Sequence, residues 1–275
     1  MPSPARRQAG RCAIIVFRMT TRSSMARWLR AAPALLALWA LGGCGGGSTP
    51  GFNAAQEWGR IEKQAQDLRA VRAQMDTIRG QLDRWEADPK GAGTEGLEPA
   101  PVLKERLEGL RKDKYRDAAT AFWDNLTLFL DRALNDSQLK TSPEAAKAVS
   151  LFADESLALA RERIREEGRY DRAVEILELA LKHDPGRAAL KTELEKARSY
   201  LRLTRERFDK AQTGMTMPAV RELCGTAAPA AVQERSEGGH TLTAWLYPRE
   251  DGAWAVLFFQ DGRLYDKSWD AQPKR

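Results

Sequence analysis

The sequence predicts an α+β fold that is mostly helical and ends in a small antiparallel sheet with a helix packed on it. Three observations predict it. From residue 52 to residue 210 apolar side chains recur at helical spacing in segments rich in Ala, Glu, Arg and Leu, all good helix formers. After residue 210 aromatic and β-branched residues rise, and Gly-containing turns divide the chain into short stretches. Glycine- and proline-rich segments at 45–51 and 88–101 separate these parts.

Residues 1–43 have the three parts of an export leader. Arg27 and Arg30 form a basic start, residues 31–41 are apolar, and small residues precede Cys44. A transmembrane helix needs about 20 apolar residues, so this run is too short to span and stay. Residues 1–24 make the basic part unusually long, and a start at Met25 gives a compact leader. Leu41-Gly42-Gly43-Cys44 resembles a bacterial lipobox. The resemblance implies cleavage after Gly43, lipidation of Cys44 and membrane attachment through acyl chains. Gly45, rather than Asp, follows the cysteine, which by resemblance to known lipoproteins implies the outer membrane, facing the periplasm. The competing reading is a chance run of small residues inside an ordinary secretory signal. The basic start, the apolar run and the glycine tether together favour the lipobox.

Removing the leader changes the electrostatics. The formal net charge is +6, and residues 1–43 hold seven arginines with no Lys, Asp or Glu, so removing seven positive charges leaves −1. A basic precursor invites a nucleic-acid reading, but the remaining chain, with both signs interspersed along helices, excludes it. Of the three cysteines, Cys12 lies in the leader, Cys44 is assigned to lipid, and Cys224 stands alone. No disulfide framework is expected, and Cys224 reads as a small buried apolar side chain.

Residues 44–51 form a flexible tether that spans roughly 15 Å as a random coil. Residues 52–87 predict one helix of about 50 Å at 1.5 Å per residue. Its apolar positions fit a heptad, with Ile61, Leu68, Met75 and Leu82 in one column and Val71, Ile78 and Trp85 in the other. Spacing does not separate a coiled coil from a helix packed into the chain's own bundle. The lack of a complementary charge pattern beside the heptad favours the bundle. Residues 88–101 are a linker. A second long helix follows over 102–135, then a break, and Ser142-Pro143-Glu144 restarts a helix with Ser as N-cap and Pro in the first turn. The Asn125-Leu126-Thr127 sequon sits mid-helix and carries no weight.

From residue 154 to 185, within a helical region at 102–210, the residues that stand out are Gly168 and Tyr170 at a turn, Ala173, Leu177 and Ala180 after it, and Pro185 at the end. Glycine permits a tight turn, alanines let helices cross closely, and proline closes a helix. The stretch resembles a tetratricopeptide repeat, with Leu157 and Ala160 fitting the first helix and Arg161 departing from its usual small residue. Only one repeat is clear, and such units need several neighbours to bury a core. Flanking helices at about 102–135, 143–152 and 186–210 are therefore expected to complete the layer. The resemblance implies a groove for peptides or partner proteins; a plain helical hairpin is an equal reading.

In residues 211–275, Gly214-Met215-Thr216 opens a short helix capped by Thr216, with Pro218 in its first turn and Gly225 at its exit. Strands are predicted at about 230–236, 241–247, 253–260 and 263–268. The Gly-Met-Thr start, the spacing of Val220, Leu223 and Gly225, the pair Trp245 and Tyr247, and the run from Phe258 through Asp261-Gly262-Arg263 resemble the SmpA/OmlA (BamE-type) lipoprotein family. That family has two helices on a three-stranded sheet and assists outer-membrane protein assembly. The chain lacks the Gly-x-Pro that follows the helix in the family.

No enzymatic constellation is visible. His183 and His240 lie in unrelated segments, and no metal-ligand cluster, nucleophile elbow or phosphate loop occurs. The expectation is a non-catalytic envelope lipoprotein, without cofactor or small-molecule substrate, that scaffolds envelope protein partners. The alternatives are a pilotin-like secretion accessory and an oligomeric coiled-coil spacer. Cys44→Ala is expected to leave an uncleaved or soluble, unlipidated protein. Fractionation checks this, and partition with outer membranes like the wild type would refute the lipobox reading.

Overall fold

The computed structural model describes residues 53–87 and 94–271. Met25, Gly43, Cys44, the tether, Phe52 and the linker residues 88–93 lie outside the described residues, as do 272–275. The described chain is α+β and mostly helical, with a four-stranded antiparallel sheet at its C-terminal end.

Helix α1 (Ala54–Ala87) is followed by α2 (Ala100–Leu110), a five-residue π-helical turn (Arg111–Tyr115) and α3 (Arg116–Asn135), so the expected helix at 102–135 carries one widened turn. Helix α4 (Pro143–Glu167) starts where Ser142 accepts a hydrogen bond from the Ala145 N–H at 3.1 Å. Helix α5 (Tyr170–His183) returns antiparallel, and α6 (Ala188–Ser199) packs on it. Phe122, Leu126 and Phe129 of α3, Phe152 of α4, Leu177 of α5 and Leu190 of α6 share one core with alanines from α1, α3, α4, α5 and α6. His183 packs edge-on against Phe152, ring centres 5.1 Å apart. That is a packing position.

Helix α1 lies against α2, α3 and α4 of its own chain. Trp58, Ile61, Ala65 and Leu68 join the helical core. Ile61, Leu68 and Met75 of one expected column and Ile78 of the other are buried, whereas Leu82, Val71 and Trp85 are only half-buried. Beside them runs a second column, Trp58, Ala65, Arg72 and Arg79, again at heptad spacing. Two of its four members are arginines, which a count of apolar residues passes over.

A buried guanidinium must be paired, and α4 supplies the partners. Glu155, with a side chain only 2% exposed, accepts from Arg69 at 2.6 Å and from Arg72. Arg72 also lies 3.6 Å from Glu162, whose carboxylate accepts from the Tyr115 hydroxyl. Further along, Arg79 meets Glu166 at 2.5 Å, and Arg165 returns to Asp76 at 3.3 Å and Asp83 at 3.0 Å. The π-helical turn brings Tyr115 to this seam, where burial pushes its hydroxyl up to about 12.

Where a single helix at about 186–210 was expected, the chain bends after α6. Leu203 forms a parallel bridge to Arg249, and α7 (Arg205–Lys210) restarts under a Thr204 cap. Phe208 of α7 lies in the core of the C-terminal module, not in that of the bundle. Helix α8 (Met217–Cys224) is capped by Thr216. The sheet runs β1 (Val232–Glu237), β2 (His240–Pro248), β3 (Trp254–Gln260) and β4 (Arg263–Ala271), each antiparallel to its neighbour. Trp245, Tyr247, Leu257, Phe259 and Leu264 face Phe208, Val220 and Cys224. Lys267 reaches across to donate to the carbonyls of Phe208 and Ala211 at 2.8 and 2.7 Å, placing a cation at the C-terminus of α7.

Glu155→Gln would remove the carboxylate that compensates Arg72 and Arg69. Because Glu162 remains beside Arg72, the cost should fall at the low end for a broken buried pair, about 3 kcal/mol. Denaturant unfolding checks this; a loss below about 0.5 kcal/mol, the range of ordinary surface substitutions, would show that the seam is solvated in solution.

Candidate functional site

The helical bundle and the sheet module meet at the turn between α4 and α5. Gly168 ends α4 in the left-handed conformation, φ 57° and ψ 23°. A Cβ there would lie 2.7 Å from both Ala228 N and Thr226 O, so only glycine lets the turn touch the segment after α8. Two residues on, the Tyr170 hydroxyl accepts a hydrogen bond from the Thr226 N–H at 2.8 Å.

The opposite side of the contact is matched. Gly225 leaves α8 with φ 92° and ψ 172°, positive but extended rather than left-handed helical. A Cβ on it would sit 2.7 Å from the Tyr170 hydroxyl oxygen and 2.9 Å from the Tyr200 ring. Tyr200 stacks on Tyr170, ring centres 5.6 Å apart and planes 17° apart, and its hydroxyl donates to Glu222 O at 2.9 Å. From the sheet, Tyr247 donates to Gly225 O at 2.9 Å, and burial raises its pKa well above the ordinary tyrosine value. Arg221 of α8 ties the module to the end of α1, through Asp83 at 3.3 Å and Glu86 at 2.5 Å.

Gly168 and Tyr170, singled out in the sequence as turn residues of a helical repeat, thus serve as the joint to the next module. Ala173, Leu177 and Ala180 lie in the helical core instead. Tyr200, Arg221 and the joint role of Gly225 and Tyr247 were not foreseen. The available signal was the cluster of tyrosines flanking glycines, two residue types that together permit close backbone approach and a hydrogen bond across it.

Beside the joint opens a cleft of about 370 Å³. Its walls include the segments 200–203 and 226–228, with Tyr170, Tyr247, Leu246 and Trp254. Two charged residues line it, Asp171 and Arg202. Asp171 is held by Arg169 through two hydrogen bonds of 2.9 and 2.8 Å, and these hold its carboxyl below the usual carboxylate range. Arg202 has no hydrogen-bond or ion-pair partner among the described residues. Cys224 also lines the cleft, but burial pushes its thiol up to about 11, which leaves little thiolate at neutral pH. A second, more open hollow of about 530 Å³ lies between α1 and α2, where Arg106 is already engaged by Glu98 at 2.6 Å.

His240 is exposed at the start of β2 with its Nδ1 2.7 Å from Asp261, far in sequence and in packing from His183. Among the described residues no group of three or more His, Cys, Asp or Glu side chains is placed to hold a metal ion. No described helix is long and apolar enough to cross a membrane. No family model matches the chain, and neither a curated protein nor a solved structure gives a significant match.

Tyr170→Phe would leave the part-buried Thr226 N–H without its acceptor and should cost about 1–2 kcal/mol in thermal or denaturant unfolding. An unchanged stability would mean that water replaces the hydroxyl and the joint is open.

Proposed function

We propose that the chain is a non-catalytic cell-envelope lipoprotein that scaffolds other proteins, attached to the outer membrane through Cys44 and serving outer-membrane protein assembly. The observation that carries the reading is the joint. A helical bundle and a sheet module are fastened at Gly168, Tyr170 and Arg221, and a cleft lined largely by apolar and aromatic side chains opens between them. Binding clefts recur at the boundaries between modules. The lipobox-like Leu41-Gly42-Gly43-Cys44 supports the location, and the resemblance of residues 211–275 to BamE-type lipoproteins supports the context.

The spacer reading needs the apolar seam of α1 for a second copy of the chain. Trp58, Ile61, Ala65 and Leu68 are instead spent inside the chain's own core, which favours the scaffold. Crosslinking and pull-down of the full chain from native membranes should capture one or a few defined envelope proteins. Recovery of no stable partner would count decisively against scaffolding.

A further inference from the structure

The unpaired Arg202 beside the apolar cleft at the joint points to a ligand of definite chemistry. We propose that the cleft receives the C-terminal residue of a partner polypeptide, with its apolar or aromatic side chain inside and its carboxylate on Arg202. The proposal deepens the scaffold reading by naming the class of partner, and it rests on that reading.

Three features select this ligand. The cleft volume of about 370 Å³ lies at the small end of ligand sites. It suits one large side chain and its adjoining backbone more than an extended segment. The lining offers ring and aliphatic surface from Tyr200, Trp254 and Leu246, against which an apolar side chain is desolvated.

Charge decides the rest. With Asp171 engaged by Arg169, the one uncompensated charge among the lining residues is the Arg202 guanidinium. A guanidinium presents a planar fork that matches a carboxylate through two parallel hydrogen bonds. Carboxylate beside an apolar side chain is what the last residue of a polypeptide carries, whereas an N-terminus or a lysine would be repelled.

Main-chain groups complete the match. The segment 200–203 is joined to the sheet by the single bridge between Leu203 and Arg249, with Leu203 N donating to Pro248 O at 2.9 Å. Among the described residues the Arg202 N–H makes no backbone hydrogen bond. The segment that lines the cleft therefore keeps an unpaired main-chain donor for an entering terminus.

The test uses the full chain and a fluorescent ten-residue peptide ending in phenylalanine, compared with its C-terminal amide and with 3-phenylpropionate as competitor. The free-acid peptide should bind about tenfold or more tightly than the amide. Arg202→Gln should weaken the acid peptide alone and erase the difference, and Arg202→Lys should restore part of it. Arg202 is exposed, so neither variant disturbs the core. Equal binding of acid and amide, discrimination that survives in Arg202→Gln, or no binding of either peptide would each overturn the proposal. Phenylpropionate competing as well as the peptide would assign the cleft to small acids and overturn it too. If membrane partners are captured equally by wild type and Arg202→Gln, the cleft assignment fails while the scaffold stands. If no partner is captured at all, the scaffold itself fails.

Discussion

The contact of the α4–α5 turn with the backbone of residues 226–228 is the constraint on which the rest of the architecture depends. It requires two glycines facing one another's modules. Gly168 has no Cβ because Ala228 N and Thr226 O occupy that space, and Gly225 has none because Tyr170 and Tyr200 occupy it. Each glycine is a permissive element, and Tyr170, Tyr200 and Tyr247 each turn the resulting closeness into a hydrogen bond. Steric permission and polar satisfaction act together here, since a backbone N–H partly shielded by the contact would otherwise be costly. Bundle and sheet therefore pack as one compact unit, with the cleft at their boundary.

The seam between α1 and α4 shows a second way of joining elements. In its first half α1 is held by apolar burial through Trp58, Ile61, Ala65 and Leu68. In its second half the same stripe continues with Arg72 and Arg79, and the opposing carboxylates Glu155, Glu162 and Glu166 lie on one face of α4. Such pairs contribute little net stability compared with apolar packing, but an unmatched member is strongly unfavourable. The arrangement fixes register: sliding α1 by one turn would leave guanidinium groups buried without a partner. Arg221 extends the same logic to the sheet module by pairing with the last turn of α1.

How much of this was legible in the sequence depends on the physics of each part. Helix starts at Ser142 and Thr216 were readable because a hydroxyl before a helix has one well-defined use, and both side chains accept the expected N–H. The four strands were readable from alternation and turn glycines, and each falls within a few residues of its expected place. The second column of the α1 seam was not, because arginines on a helix ordinarily mark the solvated face and nothing local reveals a carboxylate 83 residues away. The break at Tyr200 was missed for a similar reason. Residues 188–210 are mostly good helix formers, and the chain leaves the helix where Leu203 N donates to Pro248 O at the end of β2. The joint was half legible: Gly168 and Tyr170 stood out, but as parts of a repeat, since their partners come from residues 225–247. Arg202 gave no signal at all, because its importance lies in lacking a partner where its neighbours have one.

The account stands on the claim that bundle and sheet are fastened at the joint, and the Thr226 amide reports on it directly. Native-state hydrogen exchange of that single amide is the deciding measurement. The account predicts protection close to that of the core amides of β3, reduced selectively when Tyr170 becomes phenylalanine. Exchange at the rate of an open loop in the unmodified protein would contradict it, for then the two modules would not be held together where the glycines meet.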